Sequence, residues 1–269
     1  KKTTEAGIKF QVFPSVASGD YAFLHPIIKE QQVTDIVIAG GDGTVSQAIS
    51  SLMNCGVNFG IIPCGSGNGL AYAAKIPKQP AKALDIIFNG KPTAIDGFTI
   101  NKHFACMLAG LGFDAKVAHD FAKQPKRGLS TYVKQVIKNF WAAKTYLFEL
   151  TIEEKKFIID AFFISIANSN QFGNHFTIAP KASLADGLLD IVIVTHQNKL
   201  SLLFQTFKQV LGKNKLQQSA VFENKKGVIY FQTDKIAIAN QSEAPLHIDG
   251  DPAETPTKVQ VEIKKKCFR

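Results

Sequence analysis

Asp35-Ile-Val-Ile-Ala-Gly40-Gly41-Asp42-Gly43-Thr44 is the stretch that decides how the chain is read. Ile36 to Ala39 is an apolar run long enough for one buried strand. Gly40, Gly41 and Gly43 then break it, because glycine tolerates unusual backbone angles and leaves its N–H uncovered. From Val45 the period changes: Val45, Ala48, Ile49, Leu52 and Met53 share one helical face, and Gly56 follows as a stop. The order is strand, glycine loop, helix. A helix amino end offers free N–H groups and a partial positive charge, so a phosphate can settle there. The Gly-Lys-Ser/Thr of a Walker loop is absent, and the glycine spacing does not fit the dinucleotide fingerprint. Asp42 would repel bare phosphate and makes chemical sense as a holder of Mg²⁺ or of its bound water.

A second loop of the same kind follows one strand later. Phe59-Gly-Ile-Ile-Pro63 runs into Cys64-Gly65-Ser66-Gly67-Asn68-Gly69-Leu70-Ala71. Two glycine loops at successive strand ends lie side by side on one sheet edge, where open α/β sheets bind ligands. The plain alternative is two ordinary tight turns.

Gly40-Gly41-Asp42-Gly43-Thr44 together with Pro63-Cys-Gly-Ser-Gly-Asn68-Gly-Leu-Ala71 resembles the diacylglycerol kinase catalytic domain superfamily. That superfamily includes bacterial diacylglycerol kinases, YegS-like lipid kinases, and sphingosine and ceramide kinases. The Gly-Ser-Gly-Asn form looks closer to the sphingosine and ceramide enzymes. The resemblance covers nearly the whole chain. It implies an α/β nucleotide-binding domain over residues 1–96, with residues from about 250 to 269 returning to it. A β-sandwich-like domain over 97–249 would take the lipid. The family's earlier Asn-Pro-x-Ser-Gly loop has no counterpart in these residues, and Ser15 falls where the family places a hydroxyl near the nucleotide.

The totals agree with this class. A chain of 269 residues with 45% hydrophobic and 20% charged residues is ordinary for a soluble globular protein and can bury a large core. Four cysteines, at 55, 64, 106 and 267, show neither CxxC pairing nor metal spacing, so they read as reduced thiols in a cytoplasmic protein. The opening Lys1-Lys2-Thr3-Thr4 is not a signal peptide, and no apolar run reaches membrane-spanning length. Net charge is +9, which suits an acidic partner such as a nucleotide or an anionic membrane. A nucleic-acid partner is disfavoured, since no aromatic-basic platform appears. A homodimer is compatible with the sequence.

The elements on either side are read from pattern. Ile8 to Phe13 alternates like a strand, and Tyr21 to Glu30 reads as a helix despite Pro26. Leu70 to Lys75 and Pro80 to Asn89 read as short helices. From residue 98 onward strand patterns dominate: His103–Leu108, Phe148–Ile152, Phe157–Ala167, Leu188–Val194, Val228–Gln232, Lys235–Ala239, Pro245–Ile248 and Lys258–Ile263. Glu153 to Lys156 reads as a hairpin turn. Asn198 reads as the cap of a helix with Leu200, Leu203, Phe204, Phe207 and Leu211 on one face. Residues 121–148 carry six basic residues and no acid. Within them Thr131 to Ala143 is amphipathic, with Val133, Val136, Ile137, Phe140 and Trp141 on one side, flanked by Lys134 and Lys138. Such a helix lies on an anionic bilayer or packs by that same face on the second domain.

Phosphoryl transfer needs a phosphate cradle, a divalent cation and a base aligned on the acceptor hydroxyl. The resemblance implies ATP and Mg²⁺. It places Gly40, Gly41, Asp42, Gly43, Thr44, Gly65, Ser66, Gly67 and Asn68 around the nucleotide. Leu246-His247-Ile248-Asp249-Gly250-Asp251 ends a strand in two acids, where the family carries Asp-Gly-Glu. By that match Asp249 accepts the hydroxyl proton and Asp251 helps hold metal or phosphates; the alternative is a turn with two solvated acids. Asp96 matches an acid near the active site, or is a turn Asp before Gly97. Asp114, after Gly110-Leu-Gly112, would lie near the lipid headgroup. Asn168-Ser-Asn-Gln-Phe-Gly173 and Ala179-Pro180-Lys-Ala-Ser183-Leu-Ala-Asp186-Gly187-Leu188-Leu-Asp190 match a region that holds a structural Mg²⁺. Only Asp186 and the Leu188 carbonyl of its ligands match, and Ser183 replaces an aspartate. Two rivals stand: an NAD kinase-like enzyme, which shares Gly-Gly-Asp-Gly-Thr, and a non-catalytic lipid- or nucleotide-binding protein.

Overall fold

Two lobes of different character form the structure, a computed structural model that describes residues 2–125, 129–171, 178–195 and 227–269. The first lobe opens with α1 (Lys2–Glu5) and α2 (His25–Glu30). Pro26 stands in the first turn of α2, where its missing N–H has no intrahelical partner to lose. Residues 8–13 do not form the strand their alternation predicts. Ile8, Phe10 and Val12 are exposed, and no neighbouring strand among the described residues pairs with them.

β1 (Asp35–Gly40) and β2 (Asn58–Pro63) pair in parallel, with Gly40 opposite Pro63. α3 (Asp42–Leu52) connects them and buries Val45, Ala48, Ile49 and Leu52, the predicted face. It starts three residues before the apolar period does, because the glycine loop itself supplies the first turn. Gly56, at φ +72°, ends the segment. α4 (Gly69–Ala73) and α5 (Pro80–Asn89) follow. Gly60 is needed where α5 crosses β2, since a Cβ there would stand 2.8 Å from Ile87.

The second lobe is a curled antiparallel sheet. Its strands are β3 (Ile95–Ile100), β4 (His103–Ala105), β5 (Leu108–Gly112), β6 (Tyr146–Ile152), β7 (Lys155–Ala167), β8 (Leu189–Thr195), β9 (Val228–Thr233), β10 (Lys235–Asn240), β11 (Leu246–Ile248), β12 (Asp251–Ala253) and β13 (Lys258–Phe268). The main path runs β12-β11-β5-β7-β6-β10-β13-β3-β4, with β8 and β9 branching from β7. The long strand β7 makes this possible: one half pairs with β6, the other with both β5 and β8. Glu153 and Glu154, both at positive φ, make the two-residue turn between β6 and β7. The helices α6 (Phe113–Ala122) and α7 (Leu129–Trp141) pack together beside β5. The predicted helix at Asn198–Leu211 lies outside the described residues.

The sheet has two apolar faces. Leu111, Ile164, Ile166, Ile191 and Phe231 fill its interior. Met107, Leu108, Val192, Val194 and Tyr230 belong to a second cluster that also contains Ile49, Leu52, Ile61 and Leu70 of the first lobe. The lobes therefore share a core. The expected C-terminal return differs in detail: β12 and β13 stay in the large sheet, and only the last residues of β13 reach the first lobe. Phe268 stacks edge-on between Phe59 and Phe104, and the Arg269 carbonyl accepts the Phe59 N–H at 2.8 Å.

Asp190, on β8, is one of the carboxylates buried in the large sheet. Asp190 is fully enclosed and accepts hydrogen bonds from the Tyr230 hydroxyl and from Gln232 Nε2 at 3.0 Å. Burial pushes the Asp190 carboxyl above its ordinary range, against the pull of these donors. Such a group adds nothing unfavourable below about pH 3.9, where folded and unfolded chains are both protonated, and destabilises increasingly as pH rises through its folded pKa. The Gln232 amide can turn its Oε1 to a new Nδ2–H at position 190, so Asp190→Asn keeps its partners and is expected to melt at or above the wild-type temperature near neutral pH. The advantage should vanish toward about pH 4. A thermal melt series across pH checks this, and a variant destabilised most at neutral pH would contradict it.

Candidate active site

The two glycine loops meet. A Cβ on Gly65 would stand 2.5 Å from the Gly41 Cα, and the Cys64 N–H donates to the Gly40 carbonyl at 2.9 Å. Gly40 is required by its own loop, because a Cβ there would lie 2.8 Å from the Thr44 Cβ. Gly41 precedes α3 as its N-cap and brings no side-chain acceptor to the helix's first turn. The amino end of α3 is thus lined by backbone.

The second loop is built differently. Asn68 is buried in the left-handed region at φ +55°. Its amide closes the loop on itself: Oδ1 accepts the Gly65 N–H at 2.8 Å and Nδ2 donates to the Gly65 carbonyl at 2.8 Å. Asn68 therefore shapes the loop with both ends of its side chain. The Asp42 carboxylate faces the backbone amides of Gly69, Asn68 and Leu70. Burial pushes its carboxyl above the ordinary range, and these amides oppose that. Asp42 thus lies against the amino end of α4, while the N-cap of α3 puts no side chain on its own amino end. The two loops read alike in sequence; the geometry gives one cradle, α3, walled by the second loop. Ser66 is exposed at the rim, with Gly67 beside it. Ser15 is exposed in the coil before Val16, and Gly19 in the same coil packs on Gln47 of α3.

The second lobe brings Asp249-Gly250-Asp251 to this helix. Asp249 and Gly250 both have positive φ, +49° and +87°, so β11 reverses sharply into β12. The Asp249 side chain is 8% exposed. Its Oδ1 accepts the N–H groups of Met107 at 2.9 Å and Leu108 at 3.0 Å. Its Oδ2 accepts the Cys106 N–H at 3.0 Å and the Ser46 hydroxyl at 2.6 Å. Ser46 lies one turn along α3, so this carboxylate ties the two lobes together. The buried Cys106 thiol sits 3.6 Å from Oδ2; burial first, then the Asp249 charge, pushes it well above its ordinary range and keeps it protonated. Asp251 is exposed, and its Oδ2 would be 3.2 Å from a Cβ on Gly43. Ser46, Cys106 and Met107 carry no sequence signal for the site. Only the approach of the β4–β5 connection to α3 shows them.

Other expected site residues face elsewhere. Asp96 is 1% exposed and acts as a staple: Oδ1 accepts the Lys266 N–H at 2.6 Å and Oδ2 the Gly187 N–H at 2.7 Å. It fixes the irregular register of β13 against β3 and is not open to substrate. Asp114 is also buried, in the first turn of α6, with Oδ2 3.4 Å from His247 Nε2, so it faces the protein and not a headgroup. Asp186 is exposed, and its Oδ1 caps the turn by accepting the Leu188 N–H at 3.1 Å. Among the described residues no group of three or more His, Cys, Asp or Glu could by itself hold a metal ion, so Asp186 joins no such cluster. Phe172 and Gly173 of the matched Asn168 stretch lie outside the described residues.

A backbone-lined helix end in one lobe and a carboxylate turn from the other, meeting over a shared core, define a two-lobed phosphotransferase. Residues 1–100 match the diacylglycerol kinase catalytic domain, and residues 108–265 match the YegS C-terminal NAD kinase beta sandwich-like domain. A Chromohalobacter salexigens protein named "Probable lipid kinase YegS-like" is 27% identical over 258 residues, spanning 93% of this chain and 80% of that protein. The Bacillus subtilis protein named "Diacylglycerol kinase" is 23% identical over 256 residues, spanning 93% and 82%. A solved structure described as a diacylglycerol kinase from Bacillus anthracis superposes with a TM-score of 0.72 at 20% identity, covering 98% of this chain and 86% of that one, a likeness of fold. The chain belongs to the diacylglycerol kinase and YegS family of lipid kinases.

Proposed function

We propose that the protein transfers the γ-phosphoryl group of ATP to a hydroxyl on a diacylglycerol or long-chain base. The observation that carries this reading is the seam where α3 meets the Asp249-Gly250-Asp251 turn. Backbone N–H groups at α3 suit the phosphates, and walls of Gly41 and Gly65 let them approach. Asp251, over Gly43, and the remaining acceptor capacity of Asp42 suit Mg²⁺ in its usual manner, one or two carboxylates plus phosphate oxygens. When bound, the ion neutralises charge that develops on the transferring group. Asp249 is the base of this scheme. The Ser46 hydroxyl, 2.6 Å from its Oδ2, occupies the position an alcohol substrate would take, so substrate entry displaces Ser46. Incubation with labelled ATP, Mg²⁺ and mixed lipid extract should yield one labelled lipid class. Label appearing on NAD and not on lipid would favour the NAD kinase rival, which the names of the relatives do not support.

The lipid is reached at an anionic membrane surface, through α7. This helix is packed against its own hydropathy. Gln135 and Asn139 are buried, while Val133, Ile137 and Trp141 are 44%, 58% and 71% exposed, with Lys134, Lys138 and Lys144 exposed around them. Of the apolar face expected to serve either role, Val133, Ile137 and Trp141 are turned outward, next to basic side chains that attract anionic headgroups, while Phe140 packs on the core. Among the described residues no helix is long and apolar enough to cross a membrane. Ile137→Ser with Trp141→Ser should weaken binding to phosphatidylglycerol vesicles by about 10²–10⁴-fold, since each of the two buried side chains contributes roughly 1.5–3 kcal/mol. The melting temperature should not change. Unchanged vesicle binding would remove α7 from the membrane contact.

A further inference from the structure

The Asp249-Gly250-Asp251 turn needs a support behind it. Asp249 is a non-glycine residue in the left-handed region, a conformation held only where surrounding contacts fix it. In front, its carboxylate grips α3 and β5. Behind, the Gly250 N–H points to His247 Nδ1 at 3.3 Å. His247 is 2% exposed on β11, and its Nε2 lies 3.4 Å from Asp114 Oδ2. A ring nitrogen that accepts an N–H carries no proton, so the proton sits on Nε2 and points at the Asp114 carboxylate. Gly110 makes room for the pair. It stands directly opposite His247 in the β5–β11 register, where a Cβ would overlap the Asp114 carboxylate and lie 2.7 Å from Nε2.

We propose that His247 is a positioning residue of the phosphoryl transfer. Its Nδ1 holds the Gly250 N–H, and Asp114 holds the ring in the tautomer that leaves Nδ1 free to accept. The turn then presents Asp249 and Asp251 to α3 in fixed register. His247 touches neither substrate nor nucleotide; it acts through the turn. The proposal rests on the kinase reading above. Asp114 becomes a structural partner of the catalytic turn, which gives this buried acid a role.

Three variants separate the two contacts. His247→Asn keeps an acceptor near the Nδ1 position and loses Asp114. His247→Gln reaches toward Asp114 and offers nothing to Gly250. His247→Leu loses both. The expected kcat for lipid phosphorylation is within about 3-fold of wild type for Asn, and about 10–100-fold lower for Gln and Leu, the scale of a small misplacement of reacting groups. KM for ATP should stay within about 2-fold, because α3 is untouched. Nitrogen-15 NMR of histidine-labelled wild-type protein, with no substrate, should show a neutral ring protonated on Nε2, and the Gly250 amide should exchange slowly. Gln and Leu variants with wild-type kcat, an Asn variant as impaired as Leu, or a proton on Nδ1 would each overturn the proposal. A wild-type protein with the expected tautomer and slow Gly250 exchange but no lipid product would sink the kinase reading and leave the support of the turn standing.

Discussion

Asp249→Asn is expected to lower lipid phosphorylation by about 10³-fold or more and to lower the melting temperature at the same time. The first effect follows from the loss of a base at the acceptor hydroxyl, worth about 10²–10⁴-fold, compounded by a disturbed seam. The second follows from the hydrogen bonds. The carboxylate accepts three backbone N–H groups and the Ser46 hydroxyl. An amide replaces one acceptor oxygen with a donor, which then faces other donors in a buried place. An unsatisfied buried group costs about 1–3 kcal/mol, and for a chain of this size that is roughly 3–10 °C. Asp251→Asn provides the contrast. Asp251 is exposed, so its loss should impair turnover with little change in melting. Steady-state kinetics and thermal melts on both variants measure this. Normal turnover by Asp249→Asn would remove Asp249 from the chemistry.

Gly65→Ala is expected to weaken ATP binding by about 10–100-fold while the protein still folds. The added methyl would stand 2.5 Å from the Gly41 Cα and 3.0 Å from Asn68 Oδ1. Carbon atoms in contact prefer about 3.5–4.0 Å, so the loops must part by roughly 1 Å. Parting them moves Asn68, whose amide closes the second loop, and opens the wall of the α3 cradle. Gly65 is not at positive φ, so its backbone accepts alanine, and the penalty comes from the approach of the two loops. Calorimetric titration with an ATP analogue and Mg²⁺ reads the affinity directly. An unchanged dissociation constant would mean that the two loops do not form one nucleotide wall.

Much of this arrangement is legible in the amino-acid order. Strand, glycine loop and helix follow from Ile36–Ala39, Gly40–Gly43 and the Val45–Leu52 period, and all three are present. So are α5, β8, β9 and β10, to within a residue or two. The departures share a cause. Ile8–Phe13 alternates like a strand but finds no neighbour to pair with, and alternation without a partner gives coil. His103–Leu108 reads as one strand but divides between β4 and β5 at Cys106-Met107, whose N–H groups turn to Asp249 instead of a ladder. The family match puts Asp96 and Asp114 near substrate. Their burial and their backbone or histidine partners are long-range facts that no local pattern carries.

What the amino-acid order determined by itself is the chemistry available: two runs with bare amides at strand ends, a reversal carrying two acids, and a basic amphipathic segment. These are local properties, set by the lack of a side chain at glycine and by the period of apolar residues. Tertiary structure alone decided which of those groups face one another. It set Asp42 beside the amino end of α4 and left α3 without a side chain from its N-cap, and it placed Ser46 against Asp249 across 203 positions of sequence. It also turned α7 so that Trp141 faces water while Gln135 is buried. Those choices depend on satisfying buried polar groups and filling one core between two lobes, and both conditions are met only by the folded chain as a whole.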